Sequence, residues 1–182
     1  MQAARPWGFA FRARGLASFH LVIAGRAELR VAGEPPQILE AGDMAVMTSG
    51  RDHTMQDPDG APPEGEWPDL SGMIQGHSQE PVTLGGAGEP AALLSARFQF
   101  DADLARPLLS ALPPILPIRS ISRQPPEWLR IGLEFLANEG VGKPGRQAIV
   151  NRLAGILFIE CVRAHVEALP EGASNWLRAL RD

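Results

Sequence analysis

The first hundred residues are patterned with a period of two. Trp7, Phe9 and Phe11 alternate with Gly8 and Ala10, Phe19, Leu21 and Ile23 with Ser18, His20 and Val22, and Ala27, Leu29 and Val31 with Glu28 and Arg30. Such alternation predicts half-buried strands. Gly25-Arg26 and Gly33 to Pro36 read as hairpin connections, and Met44 to Met47 as a strand between the Gly42-Asp43 turn and Ser49-Gly50-Arg51-Asp52-His53. Further strands are expected near Met73-Ile74, Val82 to Leu84 and Leu93 to Phe100, where Leu94, Ala96, Phe98 and Phe100 oppose Ser95, Arg97 and Gln99. Short strands at roughly ten-residue spacing predict a sandwich or closed barrel. A parallel sheet would need helices between them.

The period changes near Asp101. Leu104 to Leu112 reads as a short helix before Pro113-Pro114. Trp128, Leu129, Leu133, Phe135 and Leu136 predict an amphipathic helix over 127–139, and a second is expected over 146–169. On the second, Val150, Leu153, Ala154, Leu157 and Cys161 make one stripe, and Ile156, Phe158, Ile159 and Val162 carry apolar surface around the cylinder. A helix apolar on so many sides needs cover on more than one: either the barrel and the first helix supply all of it or, the reading preferred, residues 119–172 form a homodimer interface. Ser174 or Asn175 caps a last helix that runs into Asp182.

Composition narrows this to a mainly β domain with a real core: 182 residues, 45% hydrophobic and 21% charged. The 17 prolines and 19 glycines are mostly strand punctuation, together with one long segment, residues 57–72, that is either a loop or a lid over a barrel mouth. The formal charge of −4 lacks the basic excess that neutralises phosphates, which argues against DNA binding by these residues. A lone cysteine, Cys161, fits a buried thiol in the cytoplasm. No stretch approaches the roughly 20 apolar residues of a membrane span, and the N-terminus has no signal-peptide core.

Histidine is the scarce chemical group: His20, His53, His77 and His165 are the four. His20 and His53, from neighbouring strands, can converge inside a barrel. There they would contact an effector or, with Glu28, His77 or Asp52 as a third ligand, hold a divalent metal. His165 reads as helix surface near a C-terminus. Arg97 either pairs with a neighbouring strand or binds an anionic effector. Gly85-Gly86-Ala87-Gly88 lacks the Lys-Ser/Thr of a phosphate loop and reads as a turn. With no nucleophile elbow, no paired cysteines and no distinguishable triad, catalysis is not expected.

Gly42-Asp43-Met44-Ala45-Val46-Met47-Thr48-Ser49-Gly50-Arg51-Asp52-His53 resembles the second conserved motif of the cupins, with Thr48 where that family usually has Pro. The first motif is reduced to Ser18-Phe19-His20, with Glu28 farther along than the family's Glu, a departure that weighs against a fully liganded metal. The order of Ser18 to Val22, Gly25-Arg26-Ala27, Leu39 to Asp43, Gly50 to His53, Ala96 to Asp101, Pro107 to Pro114 and Trp176 to Asp182 is similar to the cupin-type sensor domain of AraC-family transcriptional regulators.

This resemblance implies a double-stranded β-helix, a jelly-roll barrel, followed by a C-terminal α-helical hairpin. Residues 1–118 would form the sensor barrel with its linking segment, 119–172 the helical dimerisation region, and 173–182 the start of a linker to a DNA-binding helix-turn-helix domain of roughly 100 further residues. It implies a small-molecule effector bound near His20, His53 and Arg97, a homodimer, and contact with DNA only through that further domain. A stand-alone cupin metalloenzyme, oxygenase or isomerase, and a simple binding module are the alternatives.

Overall fold

The computed structural model describes residues 1–60, 68–71, 82–97, 108–109, 111–119 and 144–169. Its strands are β1 (Gln2–Ala4), β2 (Gly8–Phe11), β3 (Ser18–Ala24), β4 (Arg26–Val31), β5 (Gln37–Glu40), β6 (Met44–Met47), β7 (His53–Gln56), β8 (Thr83–Gly85), β9 (Pro90–Arg97) and β10 (Ile115–Ile118). The helix α1 (Arg146–Ala168) follows. The strands form two sheets, in the orders β10-β6-β3-β9-β1-β8 and β2-β7-β4-β5. The predicted alternation supplies the faces that bring them together. Phe9, Phe11, Leu29 and Met55 of the smaller sheet meet Val22, Met47 and Leu93 of the larger one in an interior core.

The larger sheet is buried on its other face too. Phe19, Leu21, Met44, Val46 and Ala96 pack with Phe158, Cys161, Val162 and Val166 of α1. These helix positions, spaced by three or four residues, form one stripe. Strand β3 is therefore buried on both faces from Ser18 to Val22, where alternation alone predicts a half-buried strand. Ile156 and Ile159, by contrast, are 44% and 52% exposed.

The structure extends the expected layout in four places. Strands β1 and β10 stand where the pattern predicts none, and His53 opens β7 instead of ending a turn. The late part of the 57–72 segment is an edge piece: Asp69 bridges Ala10 in parallel, Leu70 N–H donates to the Ala10 carbonyl, and Leu70 is buried in the core. The expected helix over 127–139, the strand at Met73-Ile74, most of the helix over Leu104 to Leu112, the end of the Leu93 to Phe100 strand and the segment after Ser174 lie outside the described residues.

Candidate functional site

Registry decides which polar side chains meet. In the larger sheet Ser18 opposes Arg97 and His20 opposes Ser95 across β3 and β9. In the smaller one His53 opposes Phe11 on β2 and Val31 on β4. The face carrying Ser18, His20, Ser95 and Arg97 is the interior face, because Val22 and Leu93, which share its parity, lie in the interior core. His20 and His53 meet in the interior, but from opposite sheets and not from the neighbouring strands expected, with Nε2 atoms 2.6 Å apart.

The hydrogen bonds around this pair run one way. His53 Nδ1 lies 2.9 Å from the Arg51 carbonyl, which can only accept, so Nδ1 carries the proton. Burial pushes the His53 pKa down, against raising contributions from that carbonyl and from Asp52, and a neutral ring then leaves Nε2 as an acceptor. His20 must donate from its own Nε2, which leaves its Nδ1 to accept from the Ser95 hydroxyl at 2.7 Å. Burial holds the His20 pKa well below the usual range, with His53 adding to the effect. A directed chain, Ser95 to His20 to His53 to the Arg51 carbonyl, joins the two sheets through the interior core.

Aromatic packing fixes the pair. The Phe11 ring stacks on His53 at 4.9 Å between centroids, meets His20 edge-on at 5.2 Å, and takes the Arg97 guanidinium at 4.9 Å from its centroid. Behind His53, Gly50 (φ 62°) turns the chain, and a Cβ there would stand 2.3 Å from the Gly15 carbonyl carbon. Glycine is the residue this close approach requires. A cleft of about 480 Å³ opens at this end of the barrel, with Phe11, Val31, Pro36, Arg12, Asp52 and His53 among its walls.

Neither Glu28 nor Asp52 is placed to complete a metal site with His20 and His53. Glu28 sits on the outer face of β4, where its carboxylate accepts from Gln56 at 2.9 Å and pairs with Arg30 at 3.0 Å. The reason is parity: Ala27, Leu29 and Val31 point inward, so Glu28 between them points out. Asp52 accepts from Ala13 N–H at 2.9 Å and pairs with Arg12 at 3.5 Å. His77 lies outside the described residues. Among the described residues no three His, Cys, Asp or Glu side chains gather to hold a metal ion, and two imidazoles are fewer than the three protein ligands of catalytic zinc sites.

Sequence reasoning missed Ser95, Ser18 and Phe11. Ser95 shares the alternating face of Arg97, the one signal that could have found it, whereas Phe11 reads only as core. Cys161 is buried among apolar neighbours, and burial pushes its thiol up to about 12, which makes it an inert packing group.

A profile of the family described as Cupin matches residues 1–167. The HTH-type transcriptional regulator AlkR of Acinetobacter baylyi is 33% identical over 177 residues, which cover 96% of this chain and 57% of that protein. Putative AraC-like transcription regulators of Streptomyces lividans and Streptomyces antibioticus are 28% and 27% identical. They cover 97% of the chain and 57% of each relative. The chain thus spans little more than half the length of these curated relatives.

Proposed function

The chain belongs to the cupin family, and from that premise we propose that it is the ligand-sensing and dimerising part of an AraC-type transcriptional regulator, acting in the cytoplasm. The observation that carries this reading is the near end-to-end similarity to relatives named as transcriptional regulators. The site agrees with binding more readily than with turnover. All four ring nitrogens of His20 and His53 are engaged, so neither ring offers a free base to a substrate.

In this proposal a small effector enters the cleft beside Phe11 and His53. Its contacts are felt on both sheets through the Ser95, His20 and His53 chain, and the sheet carrying α1 passes the change to a second subunit. The exposed Ile156 and Ile159 supply the apolar centre of that subunit contact. DNA is reached through a helix-turn-helix region beyond these residues. No helix among the described residues is long and apolar enough to cross a membrane.

The test is to fuse the 182 residues to a monomeric DNA-binding domain and to measure its affinity for paired half-sites. The fusion should bind the pair at least about tenfold tighter than the isolated DNA-binding domain, and Ile156→Glu/Ile159→Glu should remove the gain. A fusion with no gain that sediments as a monomer at micromolar concentration would sink the dimeric sensor.

A further inference from the structure

Among the described residues, the buried side-chain atoms without a hydrogen-bond partner are Arg5 Nε and Asp57 Oδ2, Ser18 Oγ, and Arg97 Nε and Nη1. The first two face each other as an ion pair at 2.7 Å. The other three belong to two residues directly opposed in the β3–β9 ladder, whose Cβ atoms such a register places about 5 Å apart on one face. Ser18 is fully buried. Arg97 uses Nη2 to donate to the Arg12 carbonyl and lies over Phe11, itself a wall of the cleft.

The acids near Arg97 are already committed. Asp52 holds Arg12 and the Ala13 N–H, and Asp69 accepts from the Ser71 N–H and hydroxyl. Arg14, on the β2–β3 loop, adds a second guanidinium to the surroundings of Arg97. Among the described residues, Arg12, Arg14 and Arg97 against Asp52 and Asp69 leave one positive charge in excess. A guanidinium has donors and no acceptor, and a buried donor left unbonded is costly. A ligand that meets these atoms must bring acceptors and one negative charge.

We propose that Ser18 and Arg97 form an anchoring subsite for a carboxylate on the effector. The inference rests on the sensing role above and names the chemical class that role requires. A carboxylate offers two oxygens in a plane that suits the guanidinium, with a lone pair left for the Ser18 hydroxyl. Because the donors are desolvated before the ligand arrives, bonding them recovers a cost already present in the free protein. A phosphate dianion would carry more charge than the local excess balances.

The test follows the Arg97 side-chain Nε–H resonance, assigned by its loss in Arg97→Lys, during titrations of the labelled protein at neutral pH. The probes are benzoate, octanoate, benzamide and inorganic phosphate. At least one carboxylate should shift the resonance saturably, while benzamide leaves it in place and phosphate binds at least about tenfold more weakly. By isothermal titration calorimetry, Arg97→Lys should weaken carboxylate binding about tenfold or more, and Ser18→Ala about three- to tenfold, with unchanged circular dichroism. Silence with both carboxylates, an equal response to benzamide, or tighter phosphate binding would overturn the subsite. Binding is read without DNA, so a failed sensing role leaves these titrations intact, and a fusion controlled by an uncharged ligand removes the subsite alone.

Discussion

His20 and His53 make the barrel's stability depend on pH. Both are held neutral in the fold, with pKa values below the ordinary range, chiefly by burial. The unfolded chain takes up protons on these rings below about pH 6.5 while the folded one does not. Stability is therefore full above about pH 6.5 and falls as the pH drops toward the folded values, by up to about 1.4 kcal/mol per pH unit for each ring. Denaturant midpoints should fall between pH 7 and pH 5, His53→Gln should lessen the slope, and equal slopes in the two proteins would contradict the neutral pair. Residue identity was readable here only in part. Alternation put His20 on the face opposite Phe19 and Leu21, but it could not say which face is interior, and so Glu28 was grouped with the histidines although its strand parity turns it outward.

The elements that position the site are short turns as much as strands. Gly50 aims β7, and with it His53, by packing on Gly15 with no room for a Cβ. Gly50→Ala adds a left-handed conformation to a backbone collision, and should cost at least about 2 kcal/mol in chemical denaturation. A change within about 0.5 kcal/mol, the usual range at surface positions, would refute the contact. The longer strands were legible because five or more alternating residues carry a period. Strands β1, β7 and β10, of three or four residues each, carry too few to register one. In β10 the proline-flanked Ile115 and Leu116 go to opposite cores, which local sequence cannot signal. On α1, Phe158 and Val162 face the sheet together with Cys161, because a helix apolar on several sides does not announce which side the sheet takes.

At the scale of the whole molecule, two sheets enclose a polar chain, a helix covers the larger sheet, and one end of the barrel opens as a cleft where Phe11 joins His53 to Arg97. The order of motifs made this architecture legible. The partners of His20 were not legible, since they come from strands far apart in sequence. The most direct test of a sensor that controls transcription compares RNA from cells with the intact gene, with the gene deleted, and with Arg97→Gln. Deletion should change a limited set of transcripts, and Arg97→Gln, at unchanged protein level, should fix that same set in one state whatever the growth medium. Unchanged transcripts in the deletion strain, accompanied by accumulation of a metabolite, would contradict the account and point to an enzyme.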